Sequence, residues 1–311
     1  MRAVEVTAFG TPDVLRLVDR PDPEPRPGAV RVRIHATIVN PVDSWVRRGT
    51  MAHRTPHLPF PFTLGFDIAG TVLDDTDAFT AGQRVIGLYP WLVEGTGKGT
   101  NAEIVHADPR WLAPLPQSVD WATAATVPLN SLTARQSLDL LGCAPGETVL
   151  VTGASGAVGS FAAQLAAADG AKVVAVASAG DEAYVTALGV QYVLSREDPH
   201  RLVEAVRKVA PNGVDRAFDA ALIGAPLLGA VRAGGGFLSA VEAAAPAPER
   251  GITVTGVHAK PDAAQLTDLI RRVVAGELTT RIADVLPIEH SAQAHRRLEA
   301  GGLRGKLVLT F

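Results

Sequence analysis

The chain has 311 residues, of which 47% are hydrophobic and 20% charged, and its formal net charge at pH 7 is -3. This length can bury a large core and form two domains, and the composition is that of a water-soluble globular protein. Because no basic run is present to neutralise phosphates, we expect no nucleic acid partner. Charged residues interrupt the first 20 positions, and no later segment is apolar enough to span a bilayer. We therefore expect a cytoplasmic protein with no membrane partner.

The first part of the chain, to about Trp121, contains short alternating or apolar runs separated by proline-rich turns. Residues 30–39 and 66–72 are examples of such runs. The pattern predicts a β-rich, mostly antiparallel domain with irregular loops. Within it, the segment NPVDSWVRRG at 40–49 predicts a short helix.

From about residue 123, strand-like runs alternate with helix-like runs, which predicts a parallel sheet covered by helices. The expected strands are TVLVT, VVAVAS, YVL, DRAFDA, GFLSAV and ITVTGV. Helices over 261–275 and 290–300 and a final strand in GKLVLTF follow. We expect His290, His295, Arg296 and Arg297 on the solvent face of the last helix, and Lys306 in a structural role.

The segment TGASGAVG follows the strand TVLVT and opens a helix, and a second strand follows as a mononucleotide-binding βαβ unit requires. In such a turn the bare backbone and the amide groups at the start of the helix bind a pyrophosphate. This pattern predicts a dinucleotide site, with a tight turn that binds nothing as the alternative. The candidate cofactor-binding residues are Gly153, Ala154, Ser155, Gly156, Ala157, Val158 and Gly159.

The end of the second strand bears on the choice of dinucleotide. An acidic residue there would bind the ribose 2′-hydroxyl of NAD, whereas this chain has Ser178, which tolerates the 2′-phosphate of NADP. Arg196, after the third strand, is a candidate for the adenine end of the cofactor, with a solvated loop arginine as the alternative. NADPH is therefore favoured over NAD(H).

The glycine loop alone resembles the extended short-chain dehydrogenases, but their tyrosine followed four residues later by lysine is missing. Several motifs lie in order along the chain, namely MRAVEVTAFGTPDVLRL, NPVDSWVRRG, LGFDIAGTV, AATVPLNSLTA, the glycine loop, GVDRAFDA, GGGFLS and AHRRLEAGGLRGKLVL. Together they resemble the medium-chain dehydrogenase/reductase superfamily and, within it, the zinc-free NADPH:quinone oxidoreductase group.

The resemblance implies an α/β protein with a GroES-like β-rich catalytic domain and a Rossmann domain with a doubly wound parallel sheet. The expected ranges are 1–122 and 262–311 for the catalytic domain and 123–261 for the cofactor domain. It also implies a homodimer, in which residues 252–257 pair across a two-fold axis.

Where zinc-dependent relatives carry Gly-His-Glu, this chain has Gly65, Phe66 and Asp67, and phenylalanine cannot ligate a metal. Cys143 is the only cysteine, which excludes a four-cysteine zinc site. We expect no metal. Without a Lewis acid, the favoured chemistry is hydride transfer to a small electrophilic substrate, a quinone or an α,β-unsaturated carbonyl compound.

The resemblance places the candidate catalytic residues Asn40 and Asp43 in the cleft between the domains, near the nicotinamide. Asn40 is expected to donate to the substrate oxygen. For Asp43, a donor role and a helix cap are both open. Trp45, the third candidate, stands where some quinone reductases have a tyrosine, which makes the expected pocket more apolar.

The resemblance also adds Thr133, Ala220 and Val257 to the cofactor-binding set. The Thr133 hydroxyl is expected on the phosphate side of the nicotinamide, with a bond to its own helix backbone as the alternative.

Two functions remain open from the sequence. The first is an NADPH-dependent, zinc-independent reductase of quinones or enones. The second is a dinucleotide-binding protein with little turnover, serving as a redox sensor or in a crystallin-like structural role.

Overall fold

The computed structural model describes residues 1–55, 58–196 and 199–311. Its contacts divide the chain into two compact units. The first unit comprises Met1–Leu129, Lys260–Val274 and Arg281–Phe311, and the second comprises Asn130–Ala259 and Ala275–Thr280. The domain ranges expected from the sequence remain a prediction.

The strands of both units follow one another along the chain. They are β1 Arg2–Val6, β2 Leu15–Asp19, β3 Val30–Ile38, β4 Phe62–Thr63, β5 Asp67–Val72, β6 Arg84–Leu88, β7 Ile104–Ala107, β8 Leu112–Pro114, β9 Thr148–Thr152, β10 Lys172–Ala177, β11 Tyr192–Ser195, β12 Val214–Asp219, β13 Val231–Ser239, β14 Thr253–Gly256, β15 Ile282–Pro287 and β16 Lys306–Thr310.

The helices are α1 Pro41–Arg47, α2 Trp121–Ala125, α3 Pro128–Leu141, α4 Ala157–Ala168, α5 Glu182–Thr186, α6 Pro199–Val209, α7 Ala263–Val274 and α8 Ser291–Ala300. Short 3-10 turns lie at Pro12–Val14, Ala52–Arg54, Pro109–Trp111, Ala225–Ala230, Glu242–Ala244 and Ile288–His290. In the part of the chain that the structure describes, no helix combines the length and apolar character needed to cross a membrane.

The first unit is built on a mainly antiparallel sheet with the strand order β15-β16-β3-β5-β6-β8, in which β7 also pairs with β3. Strand β3 is its centre, because β16, β5 and β7 all pair with it in antiparallel register. Alternate residues of β3, from Val30 through Val32 and Ile34 to Ala36, are buried. This alternation is what a sheet with one face on the core requires. A smaller sheet has the order β2-β1-β4.

The second unit contains one sheet with the order β11-β10-β9-β12-β13-β14, and each strand is parallel to its neighbours. The order reverses at β9, which is the topology of a doubly wound sheet. Its core includes Leu150, Val174, Val206 and Phe237. The predicted fold class, a β-rich GroES-like domain with a Rossmann domain, is confirmed.

One prediction about the last helix was wrong. His295 of α8 is 0% exposed rather than solvated. Its Nδ1 lies 3.4 Å from both the Oγ of Ser44 and the Nε of Arg47, and its Nε2 has no hydrogen-bond partner among the described residues. Ser44 and Arg47 belong to α1, about 250 residues earlier, so the helical periodicity of α8 could not reveal them. His290 and Arg296 are exposed, as predicted.

Burial, with the nearby Arg47 charge, lowers the pKa of His295 to about 3. The folded state therefore holds a neutral imidazole down to this pH, whereas the unfolded chain takes up a proton below about pH 6.5. The contribution of His295 to stability is fully present above about pH 6.5. It is lost as the pH falls towards about 3, by about 1.4 kcal/mol for each pH unit.

We predict that His295→Asn makes the free energy of unfolding less dependent on pH between about pH 7 and pH 5, measured by urea titration. The expected reduction in the acid loss is about 2 kcal/mol over this interval. His290→Asn, at an exposed position of the adjoining turn, is the matched control and should keep the wild-type dependence. An unchanged pH dependence in His295→Asn would contradict the assignment.

Candidate functional site

The glycine turn of the second unit joins β9 to α4. Gly153 takes a φ of +64°, in the left-handed region that glycine adopts without strain. The N–H of Gly156 donates to the carbonyl oxygen of Gly153 at 2.8 Å. A Cβ added to Gly159 would lie 2.2 Å from the same oxygen. The first turn of α4 thus packs so closely against the loop backbone that only glycine fits at position 159.

The chemistry of this turn fits a pyrophosphate. Ala157 and Val158 form the first turn of α4 together with Gly159, and the first N–H groups of a helix have no partner within the helix. The hydroxyl of Ser155 accepts a hydrogen bond from the N–H of Ser178 at 3.0 Å, and the N–H of Ala154 donates to Val176 at 3.1 Å. These two bonds hold the loop against the end of β10. The seven loop residues of the candidate cofactor set lie together in this one turn.

A buried group that the sequence analysis missed supports the same loop. Thr152 donates to the Oδ1 of Asp219 at 2.6 Å, and the Oδ2 of this carboxylate accepts from the N–H of Gly224 at 2.8 Å. The hydroxyl of Thr152 also accepts from the N–H of Ala221 at 3.0 Å. The turn after β12 is thereby fixed beside Gly153. The sequence feature that could have identified Asp219 is its position as an acidic residue at the carboxyl end of a buried strand.

Ser178 and Arg196 lie at the same carboxyl edge of the sheet. The parallel register pairs Ala177 with Ser195, so the residues that follow them stand side by side. The N–H of Arg196 donates to the carbonyl of Ala177 at 2.8 Å. Both side chains are exposed. A neutral hydroxyl and a guanidinium at this edge are compatible with an adenosine phosphate.

Two other cofactor candidates also follow strand ends at this edge. Ala220 comes directly after β12, and Val257 comes directly after β14, where its N–H donates to Ser239 at 3.2 Å. Thr133 differs because it lies within α3, where it is largely buried. Its assignment, like those of the other cofactor residues, stays a prediction.

The first unit holds a buried polar cluster, which consists of Asn40, Asp43, Asp67 and Lys306. The ammonium of Lys306 donates to the Oδ1 of Asn40 at 2.7 Å. The Nδ2 of Asn40 donates to the Oδ2 of Asp67 at 2.8 Å. All four side chains are at least nine-tenths buried. The sequence analysis had selected Asn40 and Asp43, but it missed the other two as members of one group.

Asp43 caps the helix α1. Its Oδ2 accepts from the N–H of Asn40 at 2.7 Å, and its Oδ1 accepts from the N–H of Gly65 at 2.9 Å. Asn40 is the N-cap residue of α1 and Asp43 is its third residue, so the bond to the Asn40 N–H is half of a capping box. The assignment of Asp43 as a catalytic residue stays a prediction. Because both oxygens are bound to backbone N–H groups, this carboxylate joins the start of α1 to the turn before β5.

Burial dominates the electrostatics of the polar cluster. Desolvation raises the pKa of Asp43 to about 6, although hydrogen bonds from Asn40 and Gly65 oppose this shift. Desolvation also raises the pKa of Asp67, and hydrogen bonds from Leu129 and Asn40, followed by the Lys306 charge, oppose this shift. Desolvation lowers the pKa of Lys306, which the charges of Asp67 and Asp43 oppose. Lys306 thus stabilises both carboxylates, whereas the two carboxylates repel each other.

Phe66, which the sequence resemblance matches to a histidine of zinc-dependent dehydrogenases, lies just before β5. Its ring packs against Trp91, with centroids 5.5 Å apart and planes tilted by 39°. Trp45, the third catalytic candidate, is half-buried in α1. Within residues 1–55, 58–196 and 199–311, no three His, Cys, Asp or Glu side chains are grouped so as to hold a metal ion.

Comparison with known proteins identifies the family of this chain. Residues 26–117 match the alcohol dehydrogenase GroES-like domain, and residues 188–309 match a model described as zinc-binding dehydrogenase. The chain is 30% identical to the quinone oxidoreductase of Sus scrofa over 330 residues, which cover 99% of this chain and 97% of the relative. It is 34% identical to the quinone oxidoreductase of Homo sapiens over 221 residues. That alignment covers 69% of this chain and 64% of the human protein.

Solved structures give a consistent result. A quinone oxidoreductase from Coxiella burnetii has a TM-score of 0.88 at 27% identity and covers 100% of this chain and 99% of its own. An NAD-dependent alcohol dehydrogenase has a TM-score of 0.86 at 32% identity, with both chains fully covered. A mycobacterial protein complexed with NADPH has a TM-score of 0.83 at 25% identity and covers both chains fully.

This chain belongs to the medium-chain dehydrogenase/reductase superfamily and is of the quinone oxidoreductase type. The family resemblance seen in the sequence is therefore confirmed.

The close approach at Gly159 leads to a prediction. We expect Gly159→Ala to lower the free energy of unfolding by about 1–3 kcal/mol, because the new methyl group would collide with the loop backbone. Gly156→Ala is the matched comparison, since a Cβ there would lie 3.2 Å from the same carbonyl oxygen. It should cost less than half as much in urea unfolding. Equal losses for the two variants would contradict this account of the turn.

Proposed function

We propose that this protein is an oxidoreductase that uses NADPH to reduce quinones or α,β-unsaturated carbonyl compounds without a metal. The observation that carries the proposal is the glycine turn at the carboxyl edge of the doubly wound sheet. There the first turn of α4 packs against the backbone of Gly153, and the first N–H groups of a helix, which have no partner within the helix, can bind a pyrophosphate. The relatives named quinone oxidoreductases support the choice of acceptor.

In this proposal the turn from Gly153 to Gly159 binds the pyrophosphate, and Ser155 holds the turn against the end of β10. When bound, the reduced nicotinamide supplies a hydride, and one proton from water or a side chain completes the two-electron reduction of the acceptor. Asn40 donates to the acceptor oxygen on which negative charge develops. Trp45 contributes apolar surface beside the acceptor.

The preference for NADPH rests on Ser178 and Arg196. The former lacks the carboxylate that would repel a 2′-phosphate, and the latter adds an exposed cation at the neighbouring strand end. One related structure carries NADPH, whereas another relative is an NAD-dependent alcohol dehydrogenase. The two cofactors therefore have to be compared directly.

The zinc-free character is part of the proposal. Phe66 offers no ligand atom, and both oxygens of Asp67 accept hydrogen bonds, from Leu129 and Asn40. An acceptor that is already electron-poor needs less help from a Lewis acid than an alcohol does. Quinones and enones meet this condition.

We predict that the purified protein oxidises NADPH in the presence of at least one member of a panel of quinones and enones. The decrease in NADPH absorbance is the readout, and kcat/KM with NADPH should exceed that with NADH by about tenfold or more, on the scale of one charged hydrogen bond. Chelator-treated and zinc-supplemented samples should have the same rate. Tight NADPH binding without turnover of any acceptor would overturn the enzyme proposal.

A second function is favoured by one observation. Both oxygens of Asp43 and both oxygens of Asp67 are bound to N–H groups, so these acids are engaged in holding the fold. A dinucleotide-binding protein with little turnover, acting as a redox sensor or in a crystallin-like structural role, would require no more than this. The turnover panel separates the two functions.

We also propose a homodimer formed through β14. This strand is the last in the order of its sheet, and its described ladder partner is β13. An edge strand of this kind can pair with the same strand of a second copy about a two-fold axis. Light scattering should give about 65 kDa, twice the chain mass of 32.5 kDa. A mass near that of one chain would contradict the dimer.

A further inference from the structure

We infer that Lys306 and Asp67 are positioning residues that fix the orientation of the Asn40 amide and leave its second Nδ2 hydrogen as the donor for the substrate oxygen. The inference rests on the proposed function of Asn40. It adds two residues that neither the motifs nor the family comparison assigned to the site.

Lys306 and Asp67 determine which atom of the Asn40 amide is the oxygen and which is the nitrogen. A lysine ammonium can only donate, so the Asn40 atom at 2.7 Å from the Nζ of Lys306 has to be the acceptor Oδ1. The atom at 2.8 Å from the Oδ2 of Asp67 has to be the donor Nδ2. A flipped amide would place its NH2 against an ammonium and its oxygen against a carboxylate. Two unfavourable contacts thus exclude the other orientation.

Asp67 is itself held in place. Its Oδ1 accepts from the N–H of Leu129 at 2.8 Å, while its Oδ2 receives the Asn40 hydrogen bond. A carboxylate can accept at both oxygens, but an asparagine side chain offers one acceptor and one donor group. Asp67 therefore performs a task that its closest isostere cannot.

The backbone explains why Lys306 reaches Asn40. Strands β16 and β3 are antiparallel, with Val308 opposite Ile38. Continuing this register by two residues places Lys306 opposite Asn40, and the N–H of Val39 donates to Leu307 at 3.1 Å in between. The lysine was expected to be structural because its sequence position, beside the final strand, does not show that its ammonium turns inward.

The charge on Lys306 also changes the amide chemically. An ammonium bound to Oδ1 polarises the amide and makes its remaining N–H a stronger donor. The effect is large in a buried site, where water does not screen it. The charged groups that face Lys306 are Asp67 and Asp43, from β5 and α1. Removing Lys306 would thus weaken the Asn40 N–H as a donor and would also allow the amide to rotate.

A double-mutant cycle tests the inference in the full chain. Lys306→Met, Asn40→Ala and the double variant are compared for kcat with the best acceptor, and for NADPH affinity by fluorescence titration. Removing a donor to a developing oxyanion typically lowers kcat by about 100-fold, which we expect for Asn40→Ala. For Lys306→Met we expect a loss of about tenfold, with NADPH affinity unchanged. Because Lys306 acts through Asn40, the double variant should be no slower than Asn40→Ala.

Lys172→Met, at an exposed position of β10, is the matched control and should retain wild-type kinetics. If Lys306→Met keeps the wild-type kcat, or if the double variant loses the product of the two single effects, the positioning inference is wrong. If the wild-type protein reduces no acceptor, the proposed function fails, and a measurement that needs no activity decides the positioning separately.

That measurement is hydrogen exchange of asparagine side-chain amides by NMR in the wild-type protein. It also applies if Lys306→Met does not fold. The Nδ2 proton of Asn40 that is bound to Asp67 should exchange at least about 100-fold more slowly than the Nδ2 protons of the exposed Asn212, because it is hydrogen-bonded and rotation of the amide is blocked. Exchange of this proton at the rate of Asn212 would overturn the inference.

Discussion

A lysine ammonium, an asparagine amide and an aspartate carboxylate meet in the interior of the first unit, in the order Lys306, Asn40, Asp67. Each of the three residues belongs to a different part of the chain, namely the last strand, the start of α1 and the start of β5. Burying charges is costly, and removing one partner from such a group costs about 3–5 kcal/mol because the other charge is left uncompensated. The cluster therefore holds these segments in one arrangement, and Asp43 extends it to Gly65.

The second unit depends on a different constraint, a close approach between backbones. At the end of β9 the chain has to turn sharply enough for the first turn of α4 to lie against Gly153, and this leaves no room for a Cβ at Gly159. Thr152, Ser155 and Asp219 then fix the loop from its sides. A rigid turn of this kind presents its N–H groups without first having to be ordered, which favours the binding of an anionic group.

Much of the fold could be predicted from local patterns. The glycine spacing after an apolar strand identified the loop and its helix, and the alternation of strands and helices identified the parallel sheet. The burial of His295 was not predictable, because Ser44 and Arg47 are distant in sequence. A helix-capping role for Asp43 could be stated as one alternative from the sequence, whereas its second bond, from the N–H of Gly65, depends on residues 22 positions apart. Asp67 and Lys306 were read as a replaced ligand and a structural lysine, since neither shows its partner in sequence.

The sequence by itself determined the β-rich first part, the alternation of strands and helices in the second, the glycine turn and the phenylalanine at position 66, but not the strand β15. These features follow from periodicity, backbone sterics and side-chain chemistry within a few residues. Tertiary structure alone decided which polar groups share the interior. Hydrogen bonds and charge interactions in a buried site depend on distances of about 3 Å between residues that the chain separates by tens or hundreds of positions. Such distances are set by strand register and packing, as the pairing of β3 with β16 shows for Asn40 and Lys306.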